Sequence, residues 1–161
     1  MSYNNADGLY VLTGVDEGTV VYQGTATGAI TRNLVIDIPD FTLIGTAFGA
    51  SNINVQLPTI PANAVLTSAT LVMTTAATSA GAATLSIGTY NAAGTAIVAA
   101  GITSATALTA IDAIGEVVRC AGTQVAGTAT IGTAAAYIGM TYATAAYTAG
   151  AAKLFIQYLQ F

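Results

Sequence analysis

Residues 74–100 form one continuous stretch without a charged side chain, and this stretch restricts the possible folds more than any other feature. It consists mainly of Ala, Thr, Gly and Ser, with a few branched apolar residues. The Ala content would suit a helix, but a surface helix needs apolar residues at i, i+3 and i+4 with polar residues opposite. Here Thr is frequent and Gly recurs at positions 81, 88 and 94. Because helix propensity is a weak guide when the period disagrees, the stretch is predicted to be a loop followed by a β-hairpin.

The predicted hairpin has a strand at residues 84–90, a turn at residues 91–94 and a return strand at residues 95–100. In the first strand, Leu85 and Ile87 share one face at the two-residue period of a β-strand. The turn reads Asn-Ala-Ala-Gly and ends in a glycine that can adopt a left-handed backbone conformation. The pattern therefore predicts two antiparallel strands joined by a short turn.

Other segments alternate in the same way. In residues 65–75, Val65, Ala69, Leu71 and Met73 fall on one face. Residues 111–120 are predicted to form a turn and a strand in which Val118 and Cys120 share a face, and further candidate strands are residues 127–133 and 136–142.

The last predicted strand, residues 153–161, is the most apolar segment of the chain. Leu154, Ile156 and Tyr158 lie on one face, and the other carries Phe155, Leu159 and Phe161. A strand that is apolar on both faces is expected to be central between two layers or covered by a neighbour. Short strands about eight to twelve residues apart, separated by Gly-rich turns, predict an all-β fold, a β-sandwich of jelly-roll type.

The first third of the chain differs from the rest, since residues 1–57 hold five of the seven acidic residues. Leu34, Ile36 and Ile38 share one face at a period of two, with Asp37 on the other face, and Pro39 is expected to end this strand or confine it to a sheet edge. The Pro-containing segment 57–64 reads as an extended connector. The sequence therefore predicts an extended N-terminal arm with short strands at residues 1–57 and a sandwich body at residues 58–161.

The charge content excludes several classes of partner. Only 6% of the residues are charged, the net charge is −4, and the three cations are Arg32, Arg119 and Lys153. Three cations cannot form the phosphate-tracking surface of a nucleic-acid-binding protein or a polybasic membrane contact. No apolar run approaches the roughly 20 residues of a membrane span, and no export signal is visible at the N-terminus. Because a free monomer usually has more surface charge, a homo-oligomer or larger complex is predicted.

The residue types argue against catalysis. There is no His and only one Cys, which rules out a Ser-His-Asp or Cys-His arrangement and a Cys/His zinc cluster. Cys120 is expected to be a small buried side chain. No glycine-rich phosphate loop is present. The chain is therefore predicted not to be an enzyme and to bind no cofactor, metal or small-molecule substrate.

Three acidic groupings remain, and the structural interpretation is favoured for each. Asp37 and Asp40 flank Pro39 and are interpreted as solvated side chains at a strand end, with a carboxylate pair or a calcium site as the alternative. The adjacent acids at positions 16 and 17 fit an ordinary turn. Asp112 and Glu116 stand near Arg119, which predicts a local ion-pair cluster.

Three separated stretches of the body share one resemblance. The stretch "IPANAVLTSA", the later "ATLSIGT" with its hairpin, and the closing "YTAGAAKLFIQYL" resemble segments of small virion proteins of tailed bacteriophages. In those proteins the closing strand commonly carries an acid where this chain has Gln157. The resemblance covers residues 57–161 and includes no catalytic motif; residues 1–57 match no familiar pattern.

The resemblance implies a capsid cement or decoration protein, of the kind found in cyanophage-like podoviruses. Such proteins sit on the capsid exterior, commonly as homotrimers, and bridge major capsid proteins to stabilise the expanded head. The chain would then be made in the host cytoplasm and located in the virion. Tyr is frequent at interfaces, and the residues predicted to contact partners are Tyr3, Tyr10, Tyr22, Arg32, Phe41, Phe48, Phe155, Leu159 and Phe161.

The main alternative is a head-fibre or tail-fibre module that binds host-surface glycan. It would share the sandwich and the trimer, but it should show an exposed aromatic or acidic pocket. A pilus or surface-layer subunit is a further alternative, and it should carry an export signal.

Overall fold

The computed structural model describes residues 2–4, 10–12, 30–49, 58–127 and 130–160. Strands β1 (Ser2–Asn4) and β2 (Tyr10–Leu12) form a separate antiparallel pair. Eight further strands follow, namely β3 (Ile30–Ile38), β4 (Thr59–Ile60), β5 (Val65–Ser79), β6 (Thr84–Tyr90), β7 (Ala96–Ala107), β8 (Val117–Arg119), β9 (Ala136–Ala143) and β10 (Tyr147–Gln160). Two short 3₁₀ turns lie at Phe41–Leu43 and Leu108–Ala110. Within these ranges no helix is long and apolar enough to cross a membrane.

The eight strands β3 to β10 form two four-stranded antiparallel sheets. The first sheet has the order β3-β10-β5-β8, and the second has the order β4-β9-β6-β7. β3 pairs with β10, β4 with β9, β5 with β8, and β6 with β7 in a hairpin. This nested pairing, split over two sheets, is the jelly-roll arrangement. The all-β, jelly-roll prediction is therefore confirmed.

Strand β3 lies at the edge of the first sheet within the described structure, and it ends at Ile38, immediately before Pro39. Both observations match the expectation for a strand followed by proline. Leu34, Ile36 and Ile38 turn toward the core, while Val35 and Asp37 on the other face are exposed. β3 pairs with β10 along its whole length. This strand therefore belongs to the sandwich, although the sequence analysis placed it in the arm; the arm assignment for residues 1–29 stays a prediction.

The segment after β3 anchors itself in the core through Phe41. The carboxylate of Asp40 accepts a hydrogen bond from the Thr42 N–H at 2.8 Å and so caps the 3₁₀ turn. Phe41 is fully buried and packs edge-to-face on Tyr147, with 5.4 Å between ring centroids. Gly150 has a φ of +141°, and a Cβ there would lie 2.8 Å from the Phe41 ring. The absence of a side chain at Gly150 thus makes room for Phe41.

Strand β5 follows its predicted pattern except near its start. Ala69, Leu71 and Met73 are buried, as the alternation predicted. Leu66, expected on the opposite face, is also buried, whereas Val65 is only half-buried. The register shifts between Leu66 and Ser68 relative to β10, and such a β-bulge reverses the face of every residue beyond it. The bulge therefore places Leu66 in the core.

The β6–β7 hairpin confirms the interpretation of the uncharged stretch. Leu85 and Ile87 are fully buried, and the turn at residues 91–94 contains Gly94 with a φ of +76°. The Asn91 carboxamide oxygen accepts hydrogen bonds from the N–H groups of Ala93 and Thr95, at 2.9 and 3.0 Å. The turn sequence thus sets the register of the hairpin locally.

Other strand predictions were less accurate. β5 continues to Ser79, into the predicted loop before the hairpin, and β7 continues to Ala107, beyond its predicted end at residue 100. Residues 136–142 form β9 as predicted. The described residues of segment 127–133 are not strand; instead Ile131 inserts into the core, and its N–H donates to the Ala64 carbonyl.

Candidate functional site

The single cysteine is a buried core residue. Cys120 is buried at the end of β8 beside Val118, as predicted. Burial raises the pKa of its thiol to about 11, and a thiol that stays protonated is a poor nucleophile. Within the described part of the chain, no three His, Cys, Asp or Glu side chains come together in a way that could hold a metal ion.

Asp37 and Asp40 face different partners. The Asp37 carboxylate lies 3.4 Å from the Lys153 ammonium on the neighbouring strand, and both side chains are largely exposed. Asp40 caps the 3₁₀ turn, and its hydrogen bonds with Thr42 lower the pKa of its carboxyl group. Each carboxylate therefore has a structural partner of its own at the end of β3.

The predicted cluster of Asp112, Glu116 and Arg119 is not formed as an ion-pair network. All three residues are described, and no ion pair within 4.0 Å joins Arg119 to either acid. Glu116 instead accepts a hydrogen bond from the Ala113 N–H at 2.9 Å. Asp112 and Arg119 are both exposed, so their charges remain available to a partner.

Three tyrosines of the body pack against other rings inside it. Tyr147 is 3% exposed, and burial raises the pKa of its phenol to about 12. Tyr142 meets it edge-to-face at 6.3 Å between ring centroids. Tyr90 is also buried and packs on Phe48, with 4.3 Å between centroids. These rings hold the body together and do not form an exposed aromatic surface.

The predicted interface residues fall into three groups. Phe41 is a core residue with no exposed surface, and Phe48 is half-buried against Tyr90. Arg32 and Phe155 are exposed and Leu159 is half-exposed, all on the first sheet. The side chains of Tyr3, Tyr10, Tyr22 and Phe161 lie outside the described residues.

The outer face of the first sheet carries a shallow groove centred on Phe155. Phe155 is 41% exposed and lies between Val35 on β3 and Thr70 on β5. The groove has a volume of about 190 Å³. Its lining, here named the Phe155 groove, consists of Asn33, Leu34, Val35, Ser68, Thr70, Phe155, Ile156 and Gln157. Two of the chain's three cations, Lys153 and Arg119, lie beside it on the same face.

A second exposed apolar feature lies at the β8 edge of the same sheet. Residues 111–116, here named the acidic turn, carry Ile114 at their tip with 74% of its surface exposed. Asp112 and Glu116 flank this tip. The sequence analysis predicted a turn here but considered only its two acids and missed Ile114, although an isoleucine between acids in a Gly-containing turn was a visible signal.

A larger groove of about 420 Å³ lies where residues 39–48 pass from the first sheet to the second. Ile36, Leu43, Phe48 and Met140 are among the side chains that line it, and Asp37 and Asp40 are its ionisable residues. Together these surfaces offer apolar contact and ion pairing, which are the chemistry of protein association.

Comparisons with known proteins give two structural similarities. No protein-family model matches the sequence, and no curated protein matches it. A chain from the structure described as "Capsid of Ralstonia phage GP4" superposes with a TM-score of 0.53 at 17% identity, covering 94% of this chain and 92% of that one. A chain from "Cyanophage Pam1 capsid asymmetric unit" gives a TM-score of 0.45 at 21% identity, covering 92% and 98%. At this level of identity, the likeness to the Ralstonia phage chain shows that the two chains share a β-sandwich fold over nearly their whole length.

Proposed function

We propose that the protein is a structural protein of a bacteriophage virion, located in the capsid, where it contacts other capsid proteins. In the finer form of this proposal it is a cement or decoration protein. It binds the outer surface of the shell as a homotrimer, bridges major capsid subunits and stabilises the expanded head.

The observation that carries the proposal is the match to the Ralstonia phage capsid chain. It extends over 94% of this chain and 92% of the other. The two chains therefore correspond over nearly their whole length and not only in one short motif. The phage-like motifs of residues 57–161 support the same conclusion independently of the fold. The weakly charged surface supports it further, because many weak contacts repeated around a shell give strong total attachment.

A non-catalytic role is part of the proposal. The thiol of Cys120 is buried, Asp37 is paired with Lys153, and Asp40 caps a turn. These groups therefore have structural roles. The proposed function needs only binding surfaces, and the Phe155 groove and the acidic turn supply them.

The test uses heads of the phage whose genome encodes the chain. Purified protein is added to heads that lack it, and the bound copies are counted after sedimentation. We expect saturable binding at symmetry-related positions on the shell and a higher temperature of DNA release. Heads that take up no protein at saturating concentration would refute the proposal, and localisation at a fibre tip would favour the glycan-binding alternative.

A second experiment tests the arm. Residues 2–28 are deleted, so that β3 and its pairing with β10 are retained. The arm hypothesis predicts a folded protein that no longer attaches to heads. Unchanged attachment would assign capsid binding to the body.

A further inference from the structure

We propose that copies of the protein join head to tail, with the acidic turn of one copy seated in the Phe155 groove of the next. The inference deepens the proposed homotrimer and rests on that part of the proposed function. It concerns contact between copies in solution, so it is measured separately from attachment to a capsid.

The acidic turn is held by backbone hydrogen bonds to β5 and presents its apolar tip to solvent. Ile111, at its start, is fully buried and accepts a hydrogen bond from the Ala77 N–H at 2.9 Å. Gly115, with a φ of +83°, donates its N–H to the Met73 carbonyl at 2.9 Å. The Glu116 carboxylate closes the turn on the Ala113 N–H. Because the turn is already ordered, binding through Ile114 costs little conformational entropy.

The Phe155 groove has the size and lining to receive such a tip. An apolar cavity of about 150 Å³ holds a benzene molecule, so a groove of about 190 Å³ has room for an isoleucine side chain. Phe155 and Val35, 41% and 54% exposed, supply the apolar contact. Gln157 and its neighbours Asn33 and Thr67 already hydrogen-bond to one another at the polar rim. A partner side chain can therefore bury apolar surface without leaving these rim groups unpaired.

Charge selects a second copy as the occupant. The acidic turn carries Asp112 and Glu116 and no cation. Beside the groove lie Arg119, which has no ion-pair partner among the described residues, and Lys153, whose ion pair with Asp37 is exposed. An apolar tip flanked by two carboxylates thus matches an apolar groove beside Arg119 and the exposed Lys153–Asp37 pair, where Arg119 supplies the unpaired positive charge. The chain carries both halves of this pair.

The two halves lie toward opposite edges of one sheet, which determines the kind of assembly. The turn runs beside β5 on the β8 side, whereas the groove is centred on β10 and β3. The three strand spacings from β3 to β8 separate the two edges by about 14 Å. A contact between different patches on the two copies is heterologous, and such contacts form a ring if the rotation closes. A closed ring of three copies is the expected product.

The first measurement is native mass by sedimentation over a concentration series. We expect the wild-type protein to form a trimer of three 16.0 kDa chains at high concentration. Ile114→Asp, which removes the tip, and Phe155→Asp, which spoils the groove, should each weaken association at least tenfold. Val35→Lys is a second groove variant on an edge strand, where Lys is well tolerated. Ile97→Asp is a matched control on an exposed isoleucine of the second sheet, outside all three surfaces. Circular dichroism verifies that each variant is folded.

A mixing experiment distinguishes this contact from a symmetric one. The Ile114→Asp variant keeps its groove, and the Phe155→Asp or Val35→Lys variant keeps its turn. Mixed together, the two should therefore form a 1:1 heterodimer that grows no further, although each alone is monomeric. An isologous interface that joins groove to groove or turn to turn uses the same patch on both copies, and mixing would restore nothing. An isologous dimer that exchanges turn and groove reciprocally is distinguished by its wild-type mass, which would be that of two chains and not three.

Salt provides an independent readout. Raising NaCl from about 0.05 to 0.5 M should weaken wild-type association several-fold, because the screening length falls well below 10 Å. Association that salt leaves unchanged or strengthens would contradict the charge pairing.

Three further results would overturn the inference: a wild-type protein that stays monomeric at every concentration, surface variants that associate like wild type, or a mixture that stays monomeric. Wild-type protein that forms the trimer but does not bind heads would refute the capsid function and leave the contact supported. Wild-type protein that binds heads while the mixture stays monomeric would refute the contact between copies and leave the capsid function supported.

Discussion

Replacing Phe41 by alanine tests whether the segment after β3 is a structural part of the sandwich. The side chain is fully buried, with Tyr147 on one side and the backbone of Gly150 and Ala77 close by. Truncating a buried Phe typically costs about 3–5 kcal/mol, and the lost edge-to-face ring contact accounts for roughly 0.5–1.5 kcal/mol of that. Because Gly150 and Ala77 have little side chain with which to fill the void, we expect a loss of about 4 kcal/mol.

The assay is urea unfolding followed by circular dichroism, together with thermal melting. For a chain of this length, about 4 kcal/mol corresponds to a fall in Tm of roughly 8–16 °C. All proteins are compared at one concentration, since self-association also stabilises the folded state. The matched control is Leu43→Ala, because Leu43 lies in the same 3₁₀ turn but is 77% exposed. Its free energy of unfolding should change by no more than about 0.5 kcal/mol.

The comparison between the two variants is the critical one. If Phe41→Ala lowers the free energy of unfolding no more than Leu43→Ala does, residues 39–48 do not anchor the sandwich and Phe41 is not part of its core. A large loss for both would mean that the turn acts as a unit through its backbone rather than through the Phe41 ring.

Three further predictions concern single side chains. Gly150→Ala places a Cβ 2.8 Å from the Phe41 ring at a φ of +141°, so it should lower the free energy of unfolding by about 1–3 kcal/mol; an unchanged urea midpoint would contradict this. Cys120, with its thiol pKa raised to about 11 by burial, should resist a thiol reagent at pH 8 until urea unfolds the protein, and rapid labelling of native protein would argue against its burial. The Asp40 pKa is lowered from its usual value of 3.8 by the hydrogen bonds with Thr42. The stability that this carboxylate contributes is therefore complete above about pH 5, where the unfolded-state carboxyl is also ionised, and is lost as the pH falls through the lower folded-state pKa. The difference between wild type and Asp40→Ala in urea titrations should accordingly shrink between about pH 5 and pH 2, and a constant difference would contradict the cap.

The features predicted correctly are those that a short segment determines by itself. Asn91 and Gly94 specify the hairpin turn through bonds within five residues, and the alternation of Leu85 and Ile87 identifies the buried face of β6. Pro39 marks the end of β3 because it cannot donate a ladder hydrogen bond.

The features missed depend on pairing between distant segments. β3 was assigned to an arm because the proline-rich connector at residues 57–64 changes the composition, but that connector only takes the chain toward β5, while β3 pairs with β10. Leu66 was placed on the wrong face because the register shift that buries it exists only relative to β10. Composition and period report on the local backbone and carry no information about such partners.

The candidate site was only partly predictable for a related reason. Phe155 and Leu159 were identified from an apolar second face on the last strand, which was expected to be covered. In a single copy that face is open at Phe155. Sequence can show that a strand has two apolar faces, but which neighbour covers the second one depends on the assembly.

The nested pairing of the strands also governs the order in which the protein can fold. β10 is the inner partner of both β3 and β5, so the first sheet cannot close until a segment near the end of this sequence has returned to one near its beginning. Contacts of such long sequence separation make folding slow, on the scale of milliseconds to seconds. Until β10 is in place, β3 and β5 both present unpaired edges that can join other chains. A chain truncated before residue 147 should therefore aggregate rather than fold partially. Incomplete chains should also aggregate less during synthesis under conditions that keep them apart from one another.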